Sequence, residues 1–195
     1  MTSLKARVSG AWVTTAAAGA ARLGGVSIPF PSGGEEPPAY ETFAWPEQPT
    51  LTNGVDGGET YTMGIRFSMI TGKPCYGIQW RVPDAVATPP GGAHMVSLWS
   101  VTGESLMRSK EFVPTPGVYQ DILFDTPVDL LPLTNYVAAV YTRHYVFRST
   151  AGSYPATPSG NVVGDEGRLT PNVNQVAYPA PQFSAWYYIS PLMGV

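Results

Sequence analysis

Charge is what this sequence has least of. Lys and Arg number 11 and Asp and Glu 14, so 13% of the residues are charged, about half of the roughly 25% usual in a soluble chain. A surface so poor in solubilising charge suits a protein whose neighbours cover much of it. The formal net charge is -3 and the cations are scattered, which excludes the clustered basic face that a nucleic-acid partner requires. Cys75 is the one cysteine, so an intrachain disulfide is excluded. With no histidine or cationic cluster beside it in sequence, it reads as a small residue in or next to a strand, not as a reactive thiol. No apolar run approaches the roughly 18 residues of a membrane span, and no membrane partner is expected. Lys5 and Arg7 ahead of an alanine-rich stretch faintly imitate a secretion signal. Ser9, Gly10, Thr14 and Thr15 break its apolar region, so a cleaved leader is not expected.

Histidine is nearly as scarce. His94 and His144 are the two present, neither in a His-x-x-x-His or cysteine-rich spacing, and each reads as a hydrogen-bonded residue at a strand end, with no metal. The sequence also lacks a Gly-x-Ser-x-Gly elbow and a phosphate-cradling loop, which removes hydrolase and P-loop chemistry. Asp121, Asp125, Asp165 and Glu166 are the carboxylates from which a glycosidase pair, about 5 to 9 Å apart, could in principle be drawn. No motif stands behind them, so the chain reads as non-enzymatic and without a cofactor. Glu36, Asp56, Asp165 and Glu166 are candidate oxygens for a structural Ca²⁺, although loop carboxylates at this density are ordinarily just solvated.

Glycine, proline and aromatic residues are abundant: 21 glycines, 20 prolines and 12% aromatics in a chain of 195 residues, long enough for one sizeable core and an appendage. In Tyr61 to Met69, Tyr61, Met63, Ile65, Phe67 and Met69 alternate with Thr62, Gly64, Arg66 and Ser68. A period of two predicts a strand with one buried and one wet face. Further strands follow at Cys75 to Arg81, with Tyr76, Ile78 and Trp80 on one face, and at His94 to Val101, turning at Thr102-Gly103-Glu104 into Leu106 to Phe112. Val118 to Phe124, Asn135 to Thr142 and His144 to Arg148 continue the pattern. A loose excursion rich in Gly, Pro and Asn then runs to about Pro181, and Phe183 to Ile189 closes the set. Trp80 and Trp99 fit interior positions. Short strands separated by turns predict an all-β fold, an antiparallel β-sandwich of jelly-roll type, over residues 51–195. Tyr136, just after the Leu131-Pro132-Leu133-Thr134-Asn135 turn, is placed to bond its hydroxyl back to upstream backbone as a tyrosine corner.

The N-terminal 30 residues repeat a brief theme: Arg7-Val8-Ser9-Gly10-Ala11-Trp12-Val13 and, fifteen residues on, Arg22-Leu23-Gly24-Gly25-Val26-Ser27-Ile28. Each copy is a short β-prone run too small to bury its own apolar side chains. Residues 1–30 thus read as an extended anchoring arm whose Trp12, Val13, Leu23, Val26, Ile28 and Phe30 pack on a neighbouring subunit. Residues 31–50, with five prolines and four glutamates, read as a linker. Among the aromatics, Tyr141, Tyr145, Tyr154, Trp186 and Tyr187 are candidate platforms for stacking on a sugar ring, the alternative being subunit packing or plain core.

Tyr-Thr-Met-Gly-Ile-Arg-Phe-Ser (61 to 68), Gly-Ile-Gln-Trp (77 to 80), His-Met-Val-Ser-Leu-Trp-Ser-Val-Thr-Gly (94 to 103), Phe-Asp-Thr-Pro-Val (124 to 128) and Leu-Thr-Asn-Tyr-Val-Ala (133 to 138) resemble an uncharacterised bacterial β-sandwich domain family. The resemblance covers about 55 to 193. Its members are similar to carbohydrate-binding sandwiches, occur beside glycosidases and surface adhesins, and also appear in virion proteins of tailed phages. The resemblance carries no activity and no catalytic residue. Arg-Val-Ser-Gly-Ala-Trp-Val resembles the openings of minor tail proteins of phages that infect actinobacteria. Together these imply a structural protein of a tailed-phage virion, minor tail or capsid decoration. Its implied partners are other virion proteins, further copies of itself as a homo-oligomer, and a host-surface glycan. The other reading the resemblance implies is a carbohydrate-binding or adhesion module of a bacterial surface or secreted protein.

Overall fold

The computed structural model describes residues 4–8, 11–15, 20–23, 26–29, 39–45, 52–54, 59–84, 88–89, 92–143, 145–149, 156–171, 173, 175–182 and 185–195. Within 4–29, 52–54, 145–149 and 185–186, and at 103 and 182, the description is of the backbone. The chain divides into two units, Met1–Pro38 and Ala39–Val195.

In the first unit, β1 (Leu4–Val8) pairs antiparallel with β2 (Ala11–Thr15) and β3 (Ala20–Leu23) with β4 (Val26–Pro29). The sequence repeat is therefore a repeat of hairpins. Val8 opposes Ala11 and Leu23 opposes Val26. Trp12, Val13, Leu23, Val26 and Ile28 lie on these strands; their side chains, and Phe30 altogether, are outside the described residues.

The second unit contains β5 (Tyr40–Glu41), β6 (Thr52–Gly54), β7 (Tyr61–Met69), β8 (Pro74–Arg81), β9 (His94–Ser100), β10 (Ser105–Phe112), β11 (Tyr119–Asp129), β12 (Tyr136–Thr142), β13 (Tyr145–Ser149), β14 (Val162–Pro171), β15 (Pro181–Gln182), β16 (Ala185–Trp186) and β17 (Ile189–Gly194). A six-stranded sheet in the order β10-β9-β12-β7-β14-β15 packs against a four-stranded sheet in the order β11-β8-β17-β5, every pairing antiparallel. This is a β-sandwich, with a small third sheet β16-β13-β6. Its core joins Ile65, Phe67, Val96, Leu98 and Val140 of one layer to Ile78, Trp80, Ile122 and Ile189 of the other. Between β7 and β12 the backbones approach closely, and a Cβ at Gly64 would sit 2.6 Å from the Ala138 carbonyl oxygen, so only glycine fits. The tyrosine corner forms as expected: the Leu131 N–H donates to the Tyr136 hydroxyl over 2.9 Å.

Four expectations are corrected. The outer face of β7 is not wet: Thr62 and Gly64 are buried, because Val176 and Tyr178 pack with Val101 over Trp99, Val137 and Ala139 on that side of the sheet. The loose excursion contains β14, which pairs along the whole of β7. Its sequence, Val-Val-Gly-Asp-Glu-Gly-Arg-Leu-Thr-Pro, carries no clean alternation, because Val163 stands on the exposed face and the bulge at Asp165 shifts the pattern by one residue. The closing strand lies at Ile189–Gly194, beyond the aromatic run. Finally, residues 39–45 belong to the sandwich and not to a linker: β5 pairs with β17 at Met193 and Gly194, and Phe43 is 2% exposed in the core.

Candidate functional site

Bulges decide which side chains the sandwich presents. β8 skips Tyr76 in its register, since Cys75 and Gly77 oppose the consecutive residues Met193 and Leu192 of β17. The extra residue re-aims its neighbours: Cys75 joins Ile78 and Trp80 in the core, while Tyr76, expected on that face, turns out to a half-buried position 5.3 Å from Tyr40, rings tilted by 47°. A second bulge, between Gly164 and Glu166 of β14, brings two consecutive carboxylates to one arginine. Arg66 donates to Asp165 through Nε (2.8 Å) and Nη2 (2.9 Å), and its Nη1 lies 2.8 Å from Glu166. Glu166 also accepts from Arg168, whose other amino group donates to the Tyr178 hydroxyl over 2.8 Å. The Asp165 hydrogen bond is the main cause of a raised Arg66 pKa; burial raises Tyr178, with Arg168 opposing it.

This ion cluster holds the segment that covers the outer face of the six-stranded sheet. Thr60 donates to the Val173 carbonyl, the Ala177 N–H donates to Thr62 Oγ1 over 3.3 Å, and Tyr178 meets Trp99 edge-on at 5.7 Å. The four carboxylates weighed for glycosidase chemistry are each engaged: Asp165 and Glu166 with Arg66, Asp125 with Lys110, and Asp121 accepting from Gln79 over 2.8 Å. Among the described residues no three His, Cys, Asp or Glu gather as a metal site; Glu36 and Asp56 lie outside them.

Of the sugar-stacking candidates, two are corrected. Tyr141 is 4% exposed and Tyr187 2%, and a buried ring offers no platform. Burial also raises the Tyr141 pKa. The side chains of Tyr145 and Trp186, and Tyr154 altogether, lie outside the described residues. Tyr40 and Tyr76, the pair sequence reasoning missed, are half-exposed. Their signal was faint, because one sits in a proline-rich stretch and the other is turned out by a bulge that no local pattern announces. Cys75 is wholly buried, its thiol pushed up to about 12 by desolvation, as befits a packing residue. His94 is buried at a strand end with Nδ1 3.1 Å from Thr142 Oγ1; His144 is outside the described residues.

One end of the sandwich carries a different surface. The 70–73 and 130–133 loops are bonded together through Leu133 N–H to the Met69 carbonyl (2.8 Å) and Leu130 N–H to the Lys73 carbonyl (3.1 Å). Ile70 and Leu131 are each 65% exposed and Leu133 is 84% exposed. Leu133 also has φ 54, a left-handed conformation that costs a residue with a Cβ about 1–2 kcal/mol. Beside them opens a cleft of about 360 Å³ lined by Ile70, Thr71, Lys73, Ser159, Gly160 and Asn161. Its walls are braced: Asn161 Oδ1 accepts from the Thr71 N–H (2.7 Å) and its Nδ2 donates to the Thr71 carbonyl (3.1 Å). Behind the cleft, buried Glu41 accepts from the Ser159 N–H (2.6 Å) through one oxygen, and its other oxygen lies 3.9 Å from Lys73 Nζ.

No curated protein matches the chain. Residues 47–186 match a family described as a domain of unknown function, so the match leaves out both β5 and its partner β17. Because the matched segment spans most of the sequence, the chain belongs to the DUF4082 family.

Proposed function

We propose that this chain is a non-enzymatic structural protein of a tailed-phage virion, in a minor tail or capsid-decoration position. Its first unit anchors it to neighbouring subunits, and its sandwich faces outward. The observation that carries this reading is the contrast between the two units. The N-terminal strands are four or five residues long and pair as two hairpins, whereas isolated two-stranded hairpins are marginal in water at best. Trp12, Val13, Leu23, Val26, Ile28 and Phe30 supply apolar surface that such hairpins bury by packing or strand addition on a host subunit. Symmetric copies then add avidity. The likeness of Arg7 to Val13 to minor tail protein openings points the same way.

Deleting residues 1–38 tests the reading. The truncated protein is expected to melt as the parent sandwich does, yet to be missing from purified particles by mass spectrometry. Incorporation at the parental level would sink the anchoring role. A second reading, recognition of a host-surface glycan, has support from the half-exposed Tyr40 and Tyr76 rings, since aromatic faces match the C–H faces of pyranoses. On a glycan array, binding that survives Tyr40→Ala together with Tyr76→Ala would remove that support.

A further inference from the structure

Charge is divided unevenly between the two units. Lys5, Arg7 and Arg22 lie on β1 and β3, and residues 1–34 hold no acid. Of the 11 Lys and Arg and 14 Asp and Glu in the chain, the first unit takes three and two, so residues 39–195 hold 8 against 12. Within the sandwich, β11 concentrates the excess. It carries Asp121, Asp125 and Asp129, all exposed, and no Lys or Arg. Asp125 is met by Lys110 of β10, and Asp121 by the neutral amide of Gln79, so the strand keeps a net negative charge.

β11 is also an open edge. Among the described residues it pairs with β8 alone, in unbroken register from Tyr119 to Leu123, before a shift between Leu123 and Val128. That five-residue run is held in place from the loop side: Gln120 donates to the Val113 carbonyl over 2.9 Å and accepts from the Thr115 N–H over 2.8 Å. Leu123, 44% exposed, adds an apolar contact between Asp121 and Asp125. β10 is the open edge of the other sheet, but a bulge between Leu106 and Arg108 and the cations Arg108 and Lys110 blunt it, and such devices deter strand pairing.

We propose that β11 of one copy is the docking edge for the N-terminal hairpins of the next copy, β1 adding as a strand beside Tyr119 to Leu123 with Lys5 and Arg7 brought against Asp121 and Asp125. The inference rests on the anchoring role proposed above and names its partner and its surface. Length and charge both match: β1 is five residues long and basic, and the open run is five residues long and acidic. Addition satisfies backbone groups on both edges, and opposite charges across the new pair favour it over like ones. Because the donating hairpin and the accepting edge are different patches, the contact is heterologous and passes from copy to copy into a ring or a filament.

Light scattering of the full chain over a concentration series, at low and high ionic strength, tests it. The parent is expected to self-associate, and less so as salt screens the charges. Arg7→Glu and Asp121→Arg are each expected to keep the parental melting temperature and to weaken association roughly five- to tenfold. The chain carrying both substitutions is expected to recover most of that loss, which a merely damaged fold would not do. A parent that stays monomeric overturns the proposal and leaves the anchoring role intact, with another virion protein as the partner. Association indifferent to either single substitution, or left weak in the double one, also overturns it. If the charge swap behaves as expected but deletion of residues 1–38 leaves incorporation into particles unchanged, the self-association stands and the anchoring reading falls.

Discussion

The hairpin unit and the sandwich are built from the same material, short antiparallel strands, and differ in what each strand has beside it. β7 is paired by β12 on one edge and β14 on the other, and side chains are buried on both its faces. In the first unit each strand has one partner. Strand propensity and turn dipeptides suffice to write a hairpin, whereas stability comes from a second edge and a covered face. The sandwich owns both; on the reading proposed above, the hairpins find them on a neighbouring subunit.

Phe67→Ala attacks the sandwich at its centre, where the ring is wholly buried, and is expected to cost about 3–5 kcal/mol. Trp12→Ala or Ile28→Ala is expected to move the same urea transition by less than about 0.5 kcal/mol. Equal effects would erase the distinction between the units. The boundary is sharpened by Phe43→Ala, which should cost about 3 kcal/mol, because residues 39–45 carry β5 and a core ring. An unchanged midpoint would return that stretch to the linker.

Alkaline titration probes the core next. The Cys75 thiol ionises near its ordinary value when unfolded and near about 12 when folded. Above about pH 9 the folded state thus holds the extra proton, and stability falls as pH rises. The slope from this one group approaches about 1.4 kcal/mol per pH unit until the folded thiol ionises. Tyr119, raised chiefly by burial, adds to the same trend. Cys75→Ala should flatten the slope between pH 9 and 12 relative to the parent, and an unaltered slope would contradict the burial of the thiol. Within the sandwich a smaller effect than that of the core rings belongs to the tyrosine corner: Tyr136→Phe removes the acceptor of the Leu131 N–H and should cost about 1 kcal/mol.

Much of this fold is written in local pattern, and the failures share a cause. β7 is found to the residue, and the hairpin of β9 and β10 turns at Thr102–Glu104 as expected, because strand alternation and turn residues are local signals. β14 escapes notice since it leaves Val163 exposed and shifts its pattern by one residue at the Asp165 bulge. The aromatic run before β17 misleads for a related reason: Tyr187 and Tyr188 are core residues outside a strand, Tyr188 at φ 50, and hydrophobicity by itself does not distinguish the two. The candidate surfaces were hardly legible at all. Tyr76 is turned to a half-buried position by a bulge, Asp165 and Glu166 are brought together by another, and Ile70, Leu131 and Leu133 come from loops about 60 residues apart in sequence.

By itself the sequence determined that this protein is built of strands, where most of them begin and turn, that no disulfide braces them, and that its first residues form runs too short to stand alone. These are properties of residues and their near neighbours, and the chain carries them wherever it goes. Only the tertiary structure decided which faces are covered, that residues 39–45 complete the sandwich, and which aliphatic and aromatic side chains are left facing water. Burial belongs to pairs of distant segments, and a strand cannot state in its own pattern what will come to lie across it.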